Sequence, residues 1–369
     1  MASNRWSIAL VGLPVGCLII GAALHSFGLS IGKLSLPLAV AVAVLLVILI
    51  FATVFAVLYQ AEALAERLGE PYGALLLTIA VTTIEVSVIV SMMLDGANNP
   101  TLARESVFST VMIVTTGVVG ACLFFGGLRH GKQDLRMPGT SAFLAVLIAL
   151  TVLSLVLPNY TIAAGPGNFS TMQLGFVSVL SALLYAAFLY AQTVRHHEDF
   201  VEEPYEHTAS HEHAPDGLSP VARLLLLIVG LGGIVLLTEE VATSIEKGLH
   251  SLQVEQSDAI IGAFIATLVL MPESAAAIRA ALNNRLQRSL NVALGSACAT
   301  IGLTIPAVAA ASLITGRELT LGLTAGDTVL LVLALAVSVV SFGTGRTTVL
   351  TGMVHLVIFV AYLLLIVTP

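Results

Sequence analysis

Charge is scarce in this chain. Asp, Glu, Lys and Arg make up 10% of its 369 residues, against roughly a quarter in a soluble domain. With 57% hydrophobic residues and a mean hydropathy of +0.99, a water-soluble globule is excluded and a polytopic membrane protein is expected, with the lipid bilayer as its solvent. Basic residues are scarcer still. Fifteen Lys plus Arg without a cluster leave no electrostatic footprint for nucleic acid. The net charge of -7 says little, because much of the acid sits in one loop. The three cysteines, Cys17, Cys122 and Cys298, each fall in an apolar run without metal-ligand spacing, so neither a disulfide framework nor a cysteine metal centre is expected. There is no phosphate-binding Gly-rich loop, no His-Glu-x-x-His, no pair of aspartates in adjacent spans and no plausible Ser/His dyad. Neither a nucleotide-driven machine nor an intramembrane hydrolase is expected, and no cofactor. The first apolar run is followed by a second long one, and Leu24-His25-Ser26 is a poor cleavage motif, which argues against a signal peptide.

Long apolar runs are what the chain has. A helix needs about 20 apolar residues to cross the hydrocarbon core. Eleven runs meet that need, at about 7–27, 37–60, 73–94, 105–127, 139–158, 170–194, 220–245, 258–282, 288–313, 326–343 and 347–367. Each is continuous and lacks the alternation of a β-barrel strand, so the fold class expected is an all-α polytopic membrane protein. With eleven spans the termini lie on opposite faces. The N-terminal face then receives Arg5, Arg67, Arg129, Lys132, Arg136, Arg195, Arg223, Arg279, Arg285, Arg288 and Arg346, and the other face only Lys33, Arg104, Lys247 and Arg317. The bias of basic residues places the N-terminus in the cytoplasm and the C-terminus outside.

Two lone glutamates sit deep in apolar stretches, Glu85 in GALLLTIAVTTIEVSVIVSMML and Glu273 in AIIGAFIATLVLMPESAAAIRAAL. Each stretch carries Gly-Ala near its start and its acid a little over ten residues later. An ionisable residue inside the hydrocarbon costs several kcal/mol on most scales, so by default it marks an ion or proton path. Their matching positions suggest two inverted repeats. If 1–36 is an extra N-terminal helix and loop, 37–194 forms a first five-helix repeat and 220–369 a second. Five is odd, so the second enters the membrane inverted. Glu62-Ala-Leu-Ala65 against Glu239-Glu240-Val-Ala242 is a further match. The segment 195–219 joins the halves. Its stretch RHHEDFVEEPYEHTASHEHAPDG holds seven acids, five histidines and two prolines, and reads as a solvated cytoplasmic linker. Its His207, His211 and His213 are candidates for pH or metal regulation, because histidine titrates near about 6.5. A plain tether is the alternative.

Glu85 has hydroxyl neighbours in Thr82, Thr83 and Ser87, and helical spacing puts Thr78 and Thr82 on its face. Oxygen ligands of this kind suit hard cations. Glu273 follows Pro272, which removes a backbone donor and clashes with the preceding turn. A helix break there frees carbonyl oxygens to face a cavity. Ser274 adds a hydroxyl. In the ninth span Asn291, Ser296 and Thr300, and in the fourth Ser109, Thr110, Thr115 and Thr116, are polar positions; Asn291 and Ser296 are the stronger candidates. Gly117, Gly120, Gly295 and Gly302 suit close helix packing. Glu62, Glu239 and Glu240, near the ends of the preceding helices, are candidates for a proton relay or access path, or are interfacial charges in water.

The segment EALAERLGEPYGALLLTIAVTTIE, followed by GACLFFGGLRHGKQDL, resembles the first signature repeat of cation/proton exchangers in the calcium/cation antiporter superfamily. IIGAFIATLVLMPESAAAIRAAL with NVALGSACATIGLTIP resembles the second, Ala293-Leu294-Gly295-Ser296 matching its Ala-Leu-Gly-Ser element. The resemblance runs over about 37–367 and looks closest to the bacterial ChaA-type branch. It implies a secondary antiporter of the bacterial inner membrane that exchanges Ca²⁺, Na⁺ or K⁺ for H⁺, with Glu85 and Glu273 as the acids that alternately bind cation and proton. The sequence departs from the wider pattern. Val81-Thr82 replaces Gly-Asn, Leu270-Met271-Pro272-Glu273-Ser274 replaces Asn-Ala-Ala-Glu-His, and Ala299 stands where a Gln is expected. Fewer amide ligands weigh against exclusive Ca²⁺ selectivity. A passive cation channel and a membrane sensor are the alternatives, and the oligomeric state is left open.

Overall fold

The structure is a computed structural model that describes residues 2–27, 36–68, 72–95, 99–200, 218–251 and 256–368. The side chains of some helical residues, those of 2–9, 65–68 and 72–78 and of Glu62 and Pro272 among them, lie outside the description, as do His207, His211 and His213 altogether. The chain is almost entirely helical. The first elements are α1 (Ala2–Phe27), α2 (Leu36–Leu68), α3 (Tyr72–Asp95), α4 (Leu102–Met112), α5 (Val119–His130), α6 (Met137–Thr151), α7 (Thr171–Tyr190) and the short α8 (His197–Phe200). They are followed by α9 (Pro220–Ser251), α10 (Ser257–Leu282), α11 (Leu286–Ala299), α12 (Ile305–Thr315), α13 (Ala325–Phe342) and α14 (Val349–Val367). Two-residue strands β1 (Gln133–Asp134) and β2 (Arg346–Thr347) pair antiparallel.

Among the described residues eight helices are long and apolar enough to cross a membrane, or nine if the bent α10 counts as one span. Within α1 and α3 the apolar described parts are Leu10–Ser26 and Ile79–Met93. Each apolar run picked out in the sequence is therefore helical here, and the chain is a multi-pass membrane protein. Helix is the physical answer because no water is available in the hydrocarbon to satisfy open backbone groups.

Two of these spans carry a π-helical turn in their middle. Ile113–Val118 joins α4 to α5, and Thr300–Thr304 joins α11 to α12. Hydropathy reads both as unbroken helix, since a π-turn changes hydrogen-bond register and not composition.

The chain forms two compact units, 1–97 with 206–257, and 98–205 with 258–369. The first packs α1, α2, α3 and α9 together. Gly233 of α9 sits against the backbone of Leu18 in α1, where an added Cβ would meet Leu18 N at 2.6 Å, so only glycine permits this crossing. The second unit holds the remaining helices. There α14 lies along α5, with Gly117 against Phe359 and Gly120 against His355 and Leu356.

The segment after the sixth span differs from expectation at its start. Phe200, read as part of a solvated linker from 195, is 6% exposed. Its ring packs edge-on against Phe143 and Phe188, with centroids 5.4 and 6.0 Å away. Aromatic edge-to-face packing of this kind outweighs the polarity of the flanking residues.

Candidate cation site

Within the first unit α3 carries Glu85, only 1% exposed. Thr82, one turn earlier, is also buried, and Ser87 is half-buried. Thr83 is turned away, its hydroxyl donating to Ile79 O of its own helix at 2.6 Å. Two turns beyond Glu85, Ser91 Oγ donates to Glu239 Oε2 of α9 at 2.6 Å. Glu239 and Glu240 are half-buried. Because α9 runs on to Ser251, they lie well inside a helix, farther from its end than the hydropathy boundary at 245 indicated.

The same unit buries an arginine that the basic-residue bias assigns to the cytoplasmic face. Arg223 is 1% exposed, and its Nη1 donates to Gln60 Oε1 of α2 at 3.0 Å. A guanidinium taken out of water must be hydrogen-bonded to be tolerated.

In the second unit α10 bends by 54° between Ser257–Met271 and Glu273–Leu282. Glu273 is the first residue past the bend. The Ser296 hydroxyl, from α11, donates to Glu273 Oε2. This joins the acid to the Ala-Leu-Gly-Ser element across 23 residues of sequence. Ser274 does not join them, since its hydroxyl donates back to Leu270 O at 2.7 Å, the usual i−4 habit of a mid-helix serine.

Asn291 is also elsewhere. Its Nδ2 donates to Phe200 O and its Oδ1 accepts from Gln287 Nε2 at 2.9 Å, so it anchors the Phe200 segment to α11. The hydroxyls of Thr115 and Thr116 donate to Val111 O and Met112 O of their own helix.

A buried acid at the start of α4 escaped the sequence reading. Glu105, 6% exposed, forms an ion pair with Arg104. Arg104 Nη1 also donates to Gly322 O at 2.9 Å. Glu105, Asp258 and Asp327 each stand in the first turn of a helix, where a negative charge complements the helix dipole.

Chemically, Glu85 in the first unit and Glu273 in the second are each an acid inside an apolar helix with hydroxyl oxygen on neighbouring positions or on the next helix. Such a group can hold a hard cation when ionised and a proton when not.

The model of a family described as "Sodium/calcium exchanger protein" matches residues 37–194 and 223–368. The chain is 45% identical over 299 residues to a putative ionic transporter, y4hA, of Sinorhizobium fredii, covering 80% of this chain and 80% of that protein. It is 38% identical over 296 residues to the sodium-potassium/proton antiporter ChaA of Escherichia coli, covering 79% of this chain and 80% of that one. Among solved structures it resembles native YfkE, with a TM-score of 0.72 at 18% identity, over 98% of this chain and 99% of the other. The last is a likeness of fold.

Proposed function

Because the chain belongs to the sodium/calcium exchanger family, we propose that it is a secondary antiporter that exports a cation in exchange for protons. The observation that carries this reading is Glu273, an acid inside an apolar span, directly past a 54° bend, its carboxylate held by the Ser296 hydroxyl. A carboxylate so placed is ready for either a cation or a proton. Glu85 plays the corresponding part in α3. Thr82, Ser87 and Ser296 supply oxygen beside the acids, and the bend at Pro272 loosens backbone carbonyls for the same use.

On the cytoplasmic side the cation displaces protons from the carboxylates. On the far side protons compete it off. Competition for the same groups couples the two fluxes without a nucleotide, in an alternating-access cycle. Two acids offer up to two protons, enough to balance one Ca²⁺. Ca²⁺, Na⁺ and K⁺ are the candidate cations. The scarcity of amide ligands, together with the sodium-potassium/proton antiporter among the relatives, supports monovalent exchange alongside Ca²⁺. Eleven spans in the inner membrane, two inverted five-helix repeats after an N-terminal helix, and a cytoplasmic N-terminus complete the proposal. The basic-residue bias supports that orientation, and the odd number of helices per repeat supports the inversion.

The test is purified protein in liposomes with a trapped proton-sensitive dye, given pulses of Ca²⁺, Na⁺ or K⁺. Cation-driven proton movement is expected, and its rank order across the three reads selectivity. Cation flux without proton movement would indicate a passive channel.

A further inference from the structure

His355 lies near the middle of α14, is fully buried, and plays no part in the cycle above. Its Nδ1 is 2.7 Å from Thr115 O and its Nε2 3.0 Å from Ser341 Oγ. Its ring also stacks on Phe342, at 6.1 Å and 25°.

Thr115 belongs to the π-turn Ile113–Val118. In an α-helix the amide of Val119 would bond the carbonyl of Thr115, four residues back. Here that amide bonds Val114 O instead, five back. The shift takes from Thr115 O the donor that an α-helix would supply. In a membrane span a backbone acceptor without a donor is costly. His355 supplies the donor from another helix. A carbonyl can only accept, so Nδ1 carries the hydrogen, and in the neutral ring Nε2 accepts from the Ser341 hydroxyl.

The contact is built, not incidental. At Gly120 an added Cβ would lie 3.0 Å from His355 Cβ and 3.0 Å from Leu356 N, so the glycine lets α14 come close enough for the ring to reach. The same π-turn also packs against α11, which carries Ser296, the partner of Glu273.

We propose that His355 is a positioning residue for transport: its Nδ1–H holds the Thr115 carbonyl, and so keeps the π-turn in the register against which α11 presents Ser296 to Glu273. The transport consequence rests on the antiporter reading; the hydrogen bond does not.

The test uses three variants in the full chain. His355→Asn places an amide N–H near the position of Nδ1. His355→Gln carries its amide further out, near Nε2, and His355→Leu removes the donor. In proteoliposomes, His355→Asn should keep the parent's half-saturating cation concentration and its proton coupling. His355→Gln and His355→Leu should raise that concentration by on the order of tenfold, the change expected when about 1.4 kcal/mol of the unpaired acceptor's cost falls on the cation site. Rescue by Asn separates positioning from a proton relay, because an amide does not titrate. An Asn variant as impaired as Leu, or a Leu variant with the parent's half-saturation, would overturn the proposal.

A second readout needs no transport. Nitrogen NMR of histidine-labelled protein should show the Nδ1–H form at His355, and amide exchange over 113–120 should quicken in His355→Leu but not in His355→Asn. An Nε2–H form, or equal exchange in the two variants, would refute the hydrogen bond. If the parent shows no cation-driven proton flux, the antiporter reading fails and these spectroscopic results still decide the role of His355.

Discussion

Replacing Glu273 with Gln tests the proposed chemistry most directly. Gln keeps the volume and still offers a carbonyl oxygen to the Ser296 hydroxyl, so the α10–α11 contact survives and the protein should fold. What disappears is one negative charge and one exchangeable proton. For a monovalent cation at about 4 Å, the lost attraction is about 4 kcal/mol at an effective dielectric constant of about 20. Each 1.4 kcal/mol is about tenfold in affinity, so the half-saturating concentration should rise by roughly three orders of magnitude. A doubly charged cation would lose more. At the cation concentrations that half-saturate the parent, cation-driven proton flux should therefore vanish, and the proton coupling at saturating cation should fall, because the amide binds no exchangeable proton. The measurement is dye quenching in proteoliposomes over a cation series, with a melting curve to confirm folding. Near-normal proton flux from a folded Glu273→Gln protein would refute the role given to this acid.

Glu85→Gln should abolish exchange in the same assay while leaving the α1–α2–α3–α9 unit folded; retained flux would remove Glu85 from the cycle. Because protons and cation compete for the same carboxylates, the half-saturating cation concentration should climb as pH on the cation's side falls, and a half-saturation flat from mildly acidic to alkaline pH would count against competition. Pro272→Ala restores a backbone donor beside the 54° bend and should weaken cation binding more than expression; unchanged affinity would mean the bend supplies no ligands. Deletion of 201–216 should leave exchange in place while shifting its pH or metal threshold if the acid- and histidine-rich stretch regulates, whereas a deletion that also removes Phe200 should destabilise the protein by about 3 kcal/mol through loss of a buried aromatic. Loss of all transport in the correctly inserted shorter deletion would place an essential element in 201–216.

Composition and the continuous apolar runs settled that the chain lives in a membrane and is helical, because only helices and closed barrels satisfy their backbone there and the runs lack a barrel's alternation. Glu85 and Glu273 were legible for the same reason, since a lone acid in such a run stands out against its surroundings. Ser296 was legible through its motif. The sequence also made Asn291 and Ser274 look like site residues, and there it had no means of telling direction. Asn291 turns to the Phe200 segment and Ser274 to its own helix, choices made by neighbours that hydropathy does not see. Tertiary structure alone decided that Arg223 is buried on Gln60, that Ser91 holds Glu239, and that His355 completes the π-turn at Thr115. The partners in these contacts stand 163, 148 and 240 residues apart, and a π-turn differs from an α-turn by one step of hydrogen-bond register. Neither leaves a periodic mark in the chain. Long-range hydrogen bonds and helix register come from which helices pack and how closely, and that is decided only when glycines such as Gly120 and Gly233 meet their neighbours.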